Sequence, residues 1–69
     1  MDRQPVTSSN LLSVGYDAGA ETLEVEFHKT GVYQYYNVPQ FMHERLMAAD
    51  SIGTFFNANI KNSYACSKM

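Results

Sequence analysis

Along residues 11–36 the apolar positions recur at every second residue. "LLSVGY" (11–16) sets Leu12, Val14 and Tyr16 against Leu11, Ser13 and Gly15. "TLEVEFH" (22–28) sets Leu23, Val25 and Phe27 against Thr22, Glu24, Glu26 and His28. "VYQYY" (32–36) sets Tyr33 and Tyr35 against Val32, Gln34 and Tyr36. A period of two is the mark of a strand with one buried face, and "DAGA" (17–20) and "KTG" (29–31) between these runs read as turns. The pattern predicts three strands joined by two hairpins.

Loop length decides which faces coincide, because a one-residue slip in register exchanges the two sides of a strand. A two-residue second turn would place Tyr33 and Tyr35 beside Glu26 and Glu24. A three-residue turn would place them beside Phe27 and Val25. Three-residue hairpin loops end on a residue in the left-handed conformation, where glycine carries no steric penalty, and Gly31 stands there. The three-residue turn is therefore expected, with Tyr33 and Tyr35 on the apolar side. By the same parity a four-residue first turn brings Leu12, Val14 and Tyr16 to that side.

After Asn37 the period becomes helical. In "NVPQFMHERLMAAD" (37–50), Pro39 suits a helix start, and Asn37 with Gln40 resembles a capping box. Val38, Phe41, Met42, Leu46 and Ala49 form the inner stripe, while Gln40, His43 and Glu44 point away. "DSIGTFFNANIKN" (50–62) predicts a second helix with Asp50 or Ser51 as N-cap and Ile52, Phe55, Phe56 and Ile60 inward. Gly53 is expected where that helix closely approaches the sheet or the first helix. The predicted fold is α+β: a three-stranded antiparallel meander with two C-terminal helices packed on one face (βββαα). Residues 1–69 form a single domain, with 1–9 a polar leader and 65–69 a flexible tail after Tyr64.

Composition agrees with a small globular chain. Apolar residues make up 45% and charged residues 17% of the 69. A chain this short buries only about 60% of its unfolded surface, so its stability margin is thin. The net charge of −2 gives no overall attraction to polyanions. It is unevenly spread. Residues 1–28 carry Asp2, Asp17, Glu21, Glu24 and Glu26 against Arg3, a net −4, and residues 29–69 carry Lys29, Arg45, Lys61 and Lys68 against Glu44 and Asp50, a net +2. Cys66 is the only cysteine, so neither an internal disulfide nor a cysteine zinc cluster can form. No signal-peptide core and no 18-residue apolar run occurs, and a cytoplasmic location is expected.

Three stretches, "PVTSSNLLSVGYD", "TLEVEFHKTGVYQYYNVP" and "DSIGTFFNANIKNSY", resemble the KTSC domain over roughly residues 5–64. They include the central Y-x-Y (Tyr33 and Tyr35) and the later F-F-N followed by isoleucine (Phe55, Phe56, Asn57 and Ile60). That family takes its name from the C-terminus of some lysyl-tRNA synthetases and also occurs as stand-alone bacterial and phage proteins. The synthetase setting implies RNA as a partner.

Tyr33 and Tyr35 admit two readings: rings on which unpaired bases stack, at about 1–3 kcal/mol per base, or core rings whose hydroxyls need a partner. The register favours the core, with Asn57 as the expected hydroxyl partner. Between these lies a partly open pocket where a ligand meets Tyr33 or Tyr35 and Asn57. The outer sheet face would show Tyr36 and Gln34 between Glu24 and Glu26, a poor surface for phosphate. Arg45, Lys61 and Lys68 are the remaining cations for a polyanion. His28 and His43 lack metal-ligand spacing, Ser8 and Ser9 lack a nucleophile elbow, and Cys66 lacks an activating base. The reading is a non-catalytic binding or interaction module without cofactor or metal, with candidate contacts Tyr33, Tyr35, Tyr36, Asn57, Arg45 and Lys61. The alternative is an RNA or single-stranded nucleic-acid binding domain. The partner is an unidentified protein or RNA, with no membrane, and a weak homodimer is expected through the open edge of strand 32–36.

Overall fold

The chain alternates short strands and helices in the order β1 (Arg3–Pro5), β2 (Leu11–Asp17), β3 (Thr22–Phe27), β4 (Gly31–Tyr35), α1 (Gln40–Ala48), α2 (Ile52–Asn59) and β5 (Cys66–Lys68). The computed structural model describes all 69 residues. The sheet is antiparallel throughout and runs β1-β2-β3-β4-β5. It has five strands where three were expected. The leader supplies β1, which pairs Arg3 with Gly15 and Pro5 with Ser13. The tail supplies β5, which pairs Cys66 with Tyr35 and Lys68 with Tyr33. Both are three residues long, too short for an alternation to register. β5 also covers the edge of β4, so the expected dimer edge is already occupied within the chain.

Both hairpins keep the expected loop length but shift along the chain. The first loop is 18–21, with Asp17 opposite Thr22 and its Oδ1 accepting from the backbone N–H of Gly19 and Ala20. The second is 28–30, with Phe27 opposite Gly31. Tyr33 and Tyr35 therefore lie beside Val25 and Leu23 instead of Phe27 and Val25. A two-residue displacement preserves parity, so the predicted face survives. Gly31 has φ of 93°, the conformation for which glycine was singled out.

Parity fails at one place. A bulge between Leu11 and Ser13 inserts an extra residue into β2. Leu11 turns inward and is fully buried, while Leu12 is 41% exposed. The bulge changes the phase of the strand, which the uninterrupted alternation of residues 12–16 does not signal.

Both helices cover the face that carries the alternate apolar residues. Leu11, Val14, Leu23, Val25 and Tyr35 from the sheet meet Val38, Leu46 from α1, and Phe56 and Ile60 from α2 and its end. α1 begins later than the sequence indicated. Asn37 adopts φ of 60° and makes no cap, Pro39 stands at the N-cap, and Gln40 donates to Glu44 instead. Proline disfavours helical backbone at the residue before it, so Val38 cannot join the helix. With that start, Phe41 points out (51% exposed) under the Arg45 guanidinium, and His43 turns in to stack on Tyr16 at 4.7 Å. Of the expected inner residues, Val38, Met42 and Leu46 meet the core, Phe41 does not, and Ala49 is the half-buried C-cap. α2 is capped by Ser51, whose Oγ accepts from the Thr54 N–H at 3.3 Å. Its close approach at Gly53 is to the segment leading into β2. A Cβ there would stand 3.1 Å from Ser8 Oγ.

Candidate functional site

The outer sheet face carries the two glutamates that weigh against polyanion binding, Glu24 and Glu26. They are not free. Arg3, delivered by β1, bonds Glu24 through Nη1, donates to Ser13 Oγ at 3.0 Å through Nε, and lies 3.7 Å from Glu26 through Nη2. Ser13 donates to Glu26 at 3.0 Å, and Gln34 donates to the other Glu24 oxygen at 2.9 Å. Glu24 is 7% exposed. The Gln34 bond first, and then Arg3, hold its carboxyl below the usual carboxylate range against the opposing effect of burial. Tyr36, half-buried, donates to Gln34 at 3.4 Å. This face is a closed network of partners, and it absorbs Tyr36.

Tyr33 and Tyr35 lie on the opposite face. Tyr35 is 4% exposed and meets Phe56 edge-on at 5.2 Å. Phe27 meets Phe56 at 5.4 Å and Tyr33 at 5.6 Å, also edge-to-face. Four rings from β3, β4 and α2 thus form one chain, the arrangement their quadrupoles favour. Core and site are the same rings seen from two sides. Their outer rims line a cleft of about 440 Å³ between β4 and the C-terminal end of α2. Asn57 of α2 with Lys61 and Asn62 of the turn after it form one wall, and Cys66 of β5 closes it beside Tyr35. Its size suits a small ligand.

The expected Asn57 bond to a tyrosine hydroxyl is absent: Asn57 is exposed, and the polar neighbour of the Tyr35 hydroxyl is the Cys66 thiol. A thiol is a weak partner. Burial and that thiol push the Tyr35 hydroxyl up to about 12. No buried side-chain polar atom is left without a partner. The Tyr35 hydroxyl, with no nitrogen or oxygen partner in the protein, is therefore reached from the cleft.

Of the candidate residues, the fold brings Tyr33, Tyr35, Asn57 and Lys61 together and leaves two apart. Tyr36 is on the outer face, and Arg45 is exposed on α1 over Phe41. Cys66, Asn62, Thr30 and Asn10 line the cleft without having been singled out for it. Only the pairing of β5 with β4 puts Cys66 there, and three tail residues carry no signal for that pairing. His28 sits in the 28–30 turn, not on the outer sheet, with Nε2 3.0 Å from the Ser8 carbonyl oxygen. His43 is half-buried on Tyr16, and burial lowers its pKa. No three His, Cys, Asp or Glu side chains are grouped to hold a metal ion. A second, polar cleft of about 500 Å³ lies between residues 7–10 and the start of α2. There the Ser51 oxygen is spent on the helix cap. No helix is long and apolar enough to cross a membrane.

Comparison with known proteins places this geometry. The KTSC domain family matches residues 7–64. An uncharacterized protein of Stutzerimonas stutzeri is 43% identical over 61 residues, 88% of this chain and 86% of that protein. A protein of Tsukamurella paurometabola is 40% identical over 58 residues, 84% and 87% of the two. The crystal structure of a KTSC domain protein from Yersinia pestis superposes with a TM-score of 0.97 at 46% identity, covering 99% of this chain and 96% of that one. The helices and the antiparallel sheet described above therefore recur in a solved structure, and this chain belongs to the KTSC domain family.

Proposed function

We propose that this chain is a small non-catalytic binding module and that its ligand seat is the cleft between β4 and α2. One observation carries the reading. Tyr33 and Tyr35 on one strand, Asn57 on α2 and Lys61 in the turn that follows it, far apart in sequence, line a single cleft. A ring floor supplies apolar contact, and the wall supplies amides and an ammonium group that fix orientation. Backbone amide shifts of the ¹⁵N-labelled chain, screened against metabolite-sized fragments, test it. Hits are expected to move amides in residues 33–35, 56–62 and 66, and Asn57→Trp, which fills the cleft, is expected to abolish those shifts. Hits confined to other surfaces overturn the reading. Hydrolase and nuclease screens with and without divalent metal are expected to stay flat.

A second reading is binding of RNA or other single-stranded nucleic acid. It is favoured by Lys68, which lies opposite Tyr33 on the same face, close to the ring a base would stack on. A labelled single-stranded RNA whose affinity falls steeply between low and moderate salt supports this reading. Absence of binding at tens of micromolar protein in low salt removes it.

A further inference from the structure

The charges around the cleft narrow what it can hold. No carboxylate lines it. The only salt bridges in the protein are those of Arg3, so Lys61 in the wall and Lys68 beside Tyr33 have no acidic partner. Lys29 extends from the 28–30 turn at the same end of the sheet, where Thr30 joins the cleft lining. Three lysines gather at that end, and no acidic side chain pairs with them or lines the cleft. The carbonyl end of α2 opposes them by about half a charge and does not outweigh them.

The second observation is the Tyr35 hydroxyl. Tyr35 is 4% exposed, and the weak Cys66 thiol is the one polar partner its hydroxyl has in the protein. A buried hydroxyl ordinarily has a nitrogen or oxygen partner. Tyr35 lines the cleft, so an acceptor bound there can reach the hydroxyl. The Asn57 and Asn62 amides stand on the facing wall.

Resting on the reading of the cleft as the ligand seat, we infer that the ligand is a metabolite-sized molecule joining an oxyanion to a small planar apolar body. The oxyanion accepts from Lys61 Nζ, from the Tyr35 hydroxyl and from the asparagine amides. The apolar body packs on the rims of Tyr33 and Phe27. A carboxylate and a phosphate ester share this chemistry, and the probes separate them.

The experiment titrates the full ¹⁵N-labelled chain with benzoate, phenyl phosphate and neutral benzyl alcohol in turn. At least one anion is expected to shift the amides of residues 33–35, 57, 61, 62 and 66 in a saturable way. Benzyl alcohol is expected to bind about tenfold more weakly, as is the anion to Lys61→Gln, since a charge-assisted bond is lost in each case. Lys61→Arg, which keeps the charge, is expected to retain binding, and the spectra themselves report that each variant is folded. Benzoate stronger than phenyl phosphate assigns a carboxylate, and the reverse assigns a phosphate ester. Equal binding of benzyl alcohol overturns the oxyanion inference while leaving the cleft as an apolar seat. Unchanged affinity in Lys61→Gln overturns it likewise. Absence of a saturable shift from either anion at ~10 mM, beyond the range of meaningful fragment affinity, overturns it independently of the fragment screen above.

Discussion

Replacing Arg3 by methionine tests whether the N-terminal residues are part of the fold. The substitution keeps the aliphatic stem and removes three polar contacts, to Glu24, Ser13 and Glu26. Removing one member of a fully buried ion pair costs roughly 3–5 kcal/mol, whereas an exposed pair is worth about 0–1. This pair lies between those limits: the Arg3 side chain is 31% exposed and that of Glu24 10%. Glu24 also keeps its Gln34 bond. The expected loss is about 2 kcal/mol, out of a total stability on the order of 3–10 kcal/mol for a chain this size. That corresponds to a fall in Tm of roughly 8–16 °C, read by circular dichroism. The pH dependence has a definite sign. Glu24 has a carboxyl pKa lowered by folding, first by Gln34 and then by Arg3. The stability it contributes is present above the unfolded-state value and is lost as pH falls through the folded one. Arg3→Met is expected to flatten this acid limb without abolishing it, because Gln34 remains. Adding Glu24→Gln is expected to recover about half of that fall in Tm, because a neutral amide no longer carries the cost of an unpaired charge. A fall under about 2 °C, with an unchanged acid limb, would refute the claim that β1 is anchored by this network.

Three further outcomes follow from the same structure. Gly15→Ala is expected to cost about 1–3 kcal/mol and to make residues 1–6 sensitive to proteolysis, because the new Cβ would stand 2.8 Å from the Asp2 carbonyl oxygen. His43 has a pKa lowered by burial, so the unfolded chain takes up its proton first. Stability in urea is expected to fall as pH drops through the ordinary histidine range, and His43→Phe to remove that slope. Tyr35→Phe is expected to cost less than about 1 kcal/mol, since no bond to nitrogen or oxygen is lost, whereas Tyr35→Ala costs roughly 3–5 by opening a cavity against Phe56. Thermal denaturation of the two variants side by side separates the ring's packing from its hydroxyl.

The amino-acid sequence by itself determined what depends on local period and turn chemistry. The β2–β3–β4 meander follows from alternation over residues 11–36. The facing of Tyr33 and Tyr35 follows from Gly31 and a three-residue loop, and survives because a slip of two residues conserves parity. The α2 stripe follows from spacing, and the cap from residue type as Asp50 or Ser51, of which the fold uses Ser51. Tertiary structure decided the rest. Strands β1 and β5 are three residues each, and at that length pairing is worth something only once a neighbouring edge exists to receive it. The β2 bulge put Leu11 in the core in place of Leu12, a change of phase that alternation along one strand does not encode. Arg3 found Glu24, and Cys66 found Tyr35, across separations that no spacing rule encodes. The tyrosines were legible as core, and a partly open pocket joining them to Asn57 was legible beside them, but its closing wall of Cys66, Asn62 and Thr30 was not, because it exists only where a tail strand and a helix end meet beside the rings.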